Sequence, residues 1–393
     1  MWLKKGQQLL AFFISDLLYL FCFFTCVAFQ LLLVTLHKKL YRHLFGHLIS
    51  LLSNITMTHV NNILRLTMIV VFAVLIGCQT ITQFDDPTNT YTPETTYQKL
   101  IGEYPFINIA SRAVPESVQE IKNVTYVRYG QRALQLDLYL PKSTAIRQKP
   151  SIVFVHGGGW RAGFRTNFTP MAIGMAERGY VAATISYRLS PEAQYPAAIH
   201  DVKAAIRWLR KNAKKYDLKS DQIAVAGGSA GGQIASLTGV TNGLEKFDPH
   251  AKSSSTSSAV QAIINIDGLS DFTSDAARFH EDDPRKNPSA AGAWFGGRYA
   301  EKTELWHEAS PLFYVNKNTP PILFLISTQA RFSVGHKEMI EKMKPFGIPY
   351  QVAQIPDSPH SFWLFDPWLK TSVDIVASFL NQQFKIARSD NAR

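Results

Sequence analysis

From about residue 120 onward, short apolar runs alternate with segments of helical period, and this alternation restricts the chain to one broad architecture. The runs are VTYVRYG (124–130), LQLDLYLP (134–141), SIVFVHG (151–157), YVAATISY (180–187), QIAVAGG (222–228), QAIINID (261–267), ILFLIS (322–327) and YQVAQIP (350–356). The first two alternate in polarity and read as a hairpin, whereas the later ones are continuously apolar, as strands covered on both faces must be. Segments such as AAIHDVKAAIRWLRKNA and HKEMIEKMKPF supply the crossover helices that parallel neighbours require. The predicted fold is α/β: a mostly parallel eight-stranded sheet with helices on both faces, in a domain over residues 120–388. Residues 268–318, polar and Trp-containing, interrupt the pattern between the sixth and seventh runs. They read either as a lid or rim over a site or as surface packing.

Two glycine-rich motifs sit at strand ends. AVAGGSAGGQIASL (224–237) places Gly227-Gly228-Ser229-Ala230-Gly231, a G-x-S-x-G, between a strand and a helix. A serine at so sharp a turn needs small neighbours, and the helix behind it presents amide groups to developing negative charge. VFVHGGGWRAGF (153–164) leaves the third strand, and its glycines let the N–H groups of Gly157 and Gly158 join that of Ala230 in an oxyanion hole. The Walker spacing and its lysine are absent, so the glycines do not read as a phosphate loop.

HGGGWRAG, SYRLSPEAQYPAAIHDVKAAIRWLRKNA, GGSAGG and ASPLFYV together resemble the hormone-sensitive-lipase-like esterases of the α/β-hydrolase superfamily, in particular the bacterial branch of acetyl-xylan, feruloyl and pectin acetyl esterases. The resemblance runs from about residue 120 to 385. It implies an α/β-hydrolase fold, a Ser, acid, His order along the chain, and hydrolysis of carboxylic esters without a cofactor. Ser229 is then the nucleophile. The base belongs in the loop after the last strand, where QIPDSPHSFWLF carries His360. His156 falls in the oxyanion loop, His200 and His336 on helical patterns, and His250, His280 and His307 in polar loops.

The acid is the departure. Where the family pattern HGTAD would put an aspartate, ISTQA has Ala330. The sixth run ends in IINIDGLSDF, so Asp267 stands where that strand emits its loop, beside the strand bearing Ser229, and is the expected acid. Asp357, Glu338 or a Ser-His dyad remain alternatives, and Asp271 reads as a structural carboxylate. Trp160, Trp294, Trp306, Trp363 and Trp368 fall in loops that could ring the site for sugar stacking, or could be packing residues. HEDD (280–283) lacks metal-ligand spacing and reads as a solvated loop; no metal site is expected.

The region before residue 120 is read separately. Residues 9–36 are apolar enough to cross a bilayer, and LTMIVVFAVLIGC (66–78) has the layout of a secretion signal starting at Met57. LIGC resembles a bacterial lipobox, which implies lipidation of Cys78 and a membrane partner through that anchor. The following Gln79 is not the inner-membrane-retaining Asp, which implies the outer membrane of a bacterial envelope. Residues 1–56 then read as an upstream extension or a membrane segment, 57–78 as the signal, and the Thr-rich 79–119 as a tether. Cys22, Cys26 and Cys78 are the only cysteines, so no disulfide framework or thiolate metal site is available beyond residue 78. Residues 1–77 hold six of the 41 Lys and Arg and one of the 30 acids, leaving a mild +6 of the chain's +11. With no basic cluster interleaved with aromatics, nucleic acid is not an expected partner. The expected function is a serine carboxylesterase acting on short acyl esters, acetyl or feruloyl in type, of small molecules or plant or algal polysaccharides. A non-catalytic glycan- or partner-binding homologue and an amidase or peptidase are the alternatives.

Overall fold

The computed structural model describes residues 90–142, 148–190 and 192–386, so the expected membrane segment, signal and Cys78 lie outside the described residues. No helix among the described residues is long and apolar enough to cross a membrane. The strands are β1 (Asn108–Ile109), β2 (Val118–Tyr129), β3 (Arg132–Pro141), β4 (Lys149–Val155), β5 (Val181–Ile185), β6 (Leu218–Gly228), β7 (Ala262–Ile266), β8 (Ile322–Ile326), β9 (Tyr350–Gln354) and β10 (Phe365–Asp366). The α-helices are α1 (Pro93–Leu100), α2 (Thr169–Glu177), α3 (Ala197–Lys211), α4 (Ala230–Val240), α5 (Asp275–Glu281), α6 (Ala290–Phe295), α7 (Tyr299–Glu308), α8 (His336–Met343) and α9 (Trp368–Gln383).

β2 to β9 form one eight-stranded sheet in the order β2-β3-β5-β4-β6-β7-β8-β9. The β2–β3 and β3–β5 pairs are antiparallel and every later pair is parallel. All eight expected runs are strands. The sheet is covered on both faces because its strands are apolar on both: in β4, Ile152 and Phe154 pack with Met171 of α2 and Val376 of α9, whereas Val153 and Val155 pack with Ile199 of α3 and Ile234 of α4. In α3 the buried Ile199, Val202, Ile206 and Leu209 recur at helical spacing and turn one stripe onto the sheet.

Two boundaries differ from the sequence expectation. β2 begins at Val118, before the apolar alternation starts, because a register shift between Ile121 and Val124 puts Lys122 and Asn123 in the strand and breaks the period. Asn123 there takes φ 58°, a conformation asparagine tolerates. Residues 90–119, read from composition as tether, are instead folded onto the domain. Thr92 caps α1 by accepting from the Thr95 N–H, β1 pairs with β10, and Ile107 and Ala110 are each 2% exposed. A Thr-rich composition cannot distinguish a capped helix start from a linker when the partners lie some 260 residues further along.

Candidate functional site

The site grows from the turn between β6 and α4. Ser229 takes φ 56° and ψ −124°, a conformation that costs a non-glycine residue about 1–3 kcal/mol and persists only where the surroundings enforce it. They do: the Ser229 N–H donates to Ile266 O of the neighbouring strand at 2.8 Å, and its carbonyl accepts from Gly232 and Gln233 N–H. A Cβ on Gly231 would stand 2.1 Å from Val155 O, so only glycine lets α4 start this close to β4.

Ser229 Oγ lies 2.8 Å from His360 Nε2, and His360 Nδ1 lies 3.0 Å from Asp267 Oδ2. In the arrangement that satisfies both contacts, Ser229 O–H donates to Nε2 and the Nδ1–H donates to Asp267. Asp267 is 1% exposed and sits at the C-terminal end of β7 with φ 47°. Its N–H donates to Leu325 O, and its other carboxylate oxygen accepts the Ser327 N–H at 2.8 Å. Asn265 fixes the departing loop by accepting the Gly268 N–H at 2.7 Å. The rival acids are elsewhere: Asp357 and Glu338 are exposed. Asp271 accepts from the Thr273 and Ser274 N–H groups and shapes the start of α5, as a structural carboxylate does.

The imidazole is held on its faces as well as its edges. Phe332 stacks on His360 at 3.4 Å between ring centroids and 7° between planes, and Trp363 meets it edge-on at 5.3 Å. Burial pushes the His360 pKa down, the Asp267 contact opposes that, and the Arg331 guanidinium adds to the lowering. Neutral imidazole, the form that can accept the serine proton, is thereby favoured near neutral pH.

Opposite the serine, Gly158 and Ala230 line the cleft, and among the described residues their N–H groups have no acceptor. Gly158 takes φ 116°, and a Cβ there would meet Ala162 O at 2.2 Å. Gly157, expected beside it, is buried and its N–H likewise has no acceptor among the described residues, but it is not among the residues lining the cleft, whose wall is continued by Gly159. His156 supports this loop. Its Nδ1–H donates to Gly157 O at 2.8 Å, its ring stacks on Tyr187, and burial holds its pKa down at about 4, so it stays neutral.

These groups open into a cleft of about 680 Å³. The 268–318 insertion supplies one wall, through His280, Glu281, Lys286, Pro288, Ser289 and Ala290, as the rim expectation has it. The tryptophans do not form an aromatic rim. Trp294, Trp306 and Trp363 are fully buried and Trp368 is 6% exposed; Trp160 alone among the five reaches the wall, where it stacks on Trp294 and donates to Gln233. His280 and His307 lie in α5 and α7 rather than in loops, and the HEDD acids Asp282 and Asp283 pair with Arg298 and Arg285. Among the described residues no group of three or more His, Cys, Asp or Glu is placed to hold a metal.

Sequence reading missed Tyr91, Phe332, Ser327 and Gln233. Tyr91 lines the cleft and hydrogen-bonds Ser361 next to the base at 3.1 Å, yet it sits in the stretch whose composition reads as linker. Phe332 lies two residues past Ala330, inside the segment noted only for its missing acid.

The BD-FAE family model matches residues 136–335, just over half of the chain. Among curated proteins, esterase LipQ of Mycobacterium tuberculosis is 34% identical over 50% of this chain and 46% of its own length. The probable carboxylic ester hydrolase LipM of the same organism is 28% identical over 61% and 56%. The chain thus spans about half the length of these curated relatives. Among solved structures, a truncated carbohydrate esterase from gut microbiota superposes with a TM-score of 0.57 at 23% identity, over 68% of this chain and 96% of that one. A thermophilic esterase from Thermogutta terrifontis superposes with a TM-score of 0.57 at 22% identity, over 70% and 97%. Both likenesses carry the α/β-hydrolase fold.

Asp267→Asn should lower kcat about 10³–10⁴-fold, the scale of losing the group that orients a catalytic imidazole, whereas Asp357→Asn and Glu338→Gln should change it less than about twofold. Steady-state ester hydrolysis by the three purified variants checks this. The pH profile of kcat/KM supplies a second check: activity should fall with acid only below the ordinary histidine value, because the His360 pKa is lowered. Arg331→Gln removes one cause of the lowering and should move that limb to higher pH.

Proposed function

The chain belongs to the BD-FAE family, and from that premise we propose that it is a serine carboxylesterase working through an acyl-enzyme. The observation that carries the reading is the continuous relay Ser229 Oγ, His360 Nε2, His360 Nδ1, Asp267 Oδ2, with contacts of 2.8 and 3.0 Å, facing two free amide donors. In this mechanism His360 Nε2 takes the Ser229 proton as Oγ bonds to the ester carbonyl carbon. The carbonyl oxygen gains the negative charge and accepts from the N–H groups of Gly158 and Ala230. Collapse breaks the bond to the alcohol, which leaves with the proton from Nε2. Water, deprotonated by the same nitrogen, then attacks the acyl-enzyme and releases the acid.

Short acyl groups, acetyl or feruloyl in type, are the proposed substrates. Beside Tyr91, the large apolar side chains of the wall are Trp160, Leu269 and Phe332, set among charged and polar groups, which offers little cover for a long chain. A polysaccharide carrier is supported by the openness of the cleft and by the likeness to a carbohydrate esterase. Ser229→Ala should abolish turnover of 4-nitrophenyl acetate and labelling by a fluorophosphonate probe, and the wild-type rate should fall from acetate to octanoate. Full activity in the variant would sink the esterase reading.

We further propose that the domain is anchored to a bacterial outer membrane through lipidated Cys78, on the strength of the LIGC motif behind its apolar run. Mass analysis of the mature N-terminus should find diacylglyceryl-modified Cys78; an unmodified start elsewhere contradicts it.

A further inference from the structure

Four cationic side chains from four separate segments converge on the cleft: Lys99 of α1, Arg161 of the loop after β4, Lys286 of the insertion and Arg331 of the turn after β8. All four are exposed. Among the described residues Lys99, Arg161 and Arg331 form no ion pair, although Arg331 lies over the Phe332 ring at 4.1 Å. Lys286 approaches only Asp283, at 3.9 Å, and that carboxylate already takes two Arg285 nitrogens at 2.9 Å. Most arginines elsewhere are matched, with Arg132, Arg165, Arg178, Arg188 and Arg207 each meeting a carboxylate, while Arg210 bonds backbone carbonyls.

Against these cations the wall sets two acids. Asp267 is engaged by His360 and Ser327, which leaves Glu281. Burial raises the Glu281 pKa while Arg331 and Lys286 oppose the rise, so both cations act across the same space. Burial lowers the His280 pKa, Arg331 and Lys286 add to the lowering, and Asp283 opposes it. A concave wall with an unmatched excess of one sign focuses its field on whatever enters and raises the local concentration of the opposite charge.

We propose that the cleft mouth is a subsite for a carboxylate carried by the substrate, so that anionic esters are hydrolysed in preference to neutral ones of the same shape. This rests on the esterase reading above and adds a substrate class to it.

Two matched pairs locate the charge. 4-Acetoxybenzoate against its methyl ester puts a carboxylate on the alcohol side; mono(4-nitrophenyl) adipate against its methyl ester puts it on the acyl side. In wild type the anionic member of at least one pair should be favoured in kcat/KM. The anionic-to-neutral ratio should drop about 3- to 5-fold with each of Arg331→Gln, Lys286→Gln, Arg161→Gln and Lys99→Gln that faces it, the upper range for one exposed charge pair. Comparing ratios cancels intrinsic ester reactivity and any general loss of rate. Raising salt from about 20 mM to about 500 mM, which shortens the Debye length from roughly 20 Å to roughly 4 Å, should shrink the wild-type ratio and leave the neutral esters nearly unchanged. Ratios that ignore both substitution and salt overturn the subsite. A readout independent of turnover separates the two readings: calorimetric binding of adipate against dimethyl adipate to Ser229→Ala. Preference for adipate without turnover in wild type keeps the subsite and ends the esterase reading; turnover without preference does the reverse.

Discussion

The carboxylate of Asp267 carries two obligations at once. Buried to 1% exposure, it needs partners on both oxygens, because an ionised group removed from water without them costs several kcal/mol. One oxygen accepts the Ser327 N–H at the exit of β8, and the other accepts from His360. The same side chain therefore ties the loop after β8 to the end of β7 and fixes which imidazole nitrogen faces Ser229. Its own backbone adopts φ 47°, which aspartate tolerates better than most residues, and is pinned by the bond to Leu325 O. Removing the carboxylate strands both the Ser327 donor and the Nδ1–H, so its loss reaches past the imidazole into the loop.

The rest of the site is arranged around the imidazole of His360, the proposed base, which its neighbours favour in the neutral form. Phe332 covers one face of His360 and Trp363 meets it edge-on, which excludes water and lowers the affinity of the ring for a proton. The hydrogen bond to Asp267 works the other way, since it strengthens as the imidazole becomes cationic. The balance is what a general base requires: uncharged before the reaction, stabilised once charged. The proposed oxyanion loop obeys similar logic. His156, buried and neutral, spends its Nδ1–H on Gly157 O, and Trp160 is held by Gln233, so the loop's flexible glycines are framed by rigid neighbours.

Most of the scaffold was legible because buried parallel strands must be continuously apolar, a signal that survives without any knowledge of partners. The six later sheet strands were found that way and the first two by their alternating polarity, and Ser229 and His360 followed from their places at strand ends. What escaped depends on distant contacts. Val118 to Asn123 hides in β2 because a register shift interrupts its period. Residues 90–119 look like a linker because the groups that bind them, such as Ser361 against Tyr91 and β10 against β1, come hundreds of residues later. The tryptophans illustrate the opposite error: a loop position says little about burial, and Trp294 and Trp306 are the core of the insertion rather than its surface.

An acid at the end of β7, in place of the turn after β8 where the resembled family pattern puts it, is also consistent with the geometry. β7 and β8 are adjacent and parallel, with Ile266 paired to Leu325, so their exits stand one strand spacing apart, about 4.8 Å. A carboxylate emitted directly at the end of β7 covers that offset with its own side chain, whereas one at position 330 would sit four residues beyond Ile326, on a turn. Either origin can deliver an oxygen to the same Nδ1. With Asp267 in that place, the turn after β8 need not supply a carboxylate. It carries Ala330, Arg331 and Phe332 instead, and uses them to cover the imidazole and to face the cleft with a cation. The turn that lacks the acid thus also carries one of the four cations at the mouth of the cleft.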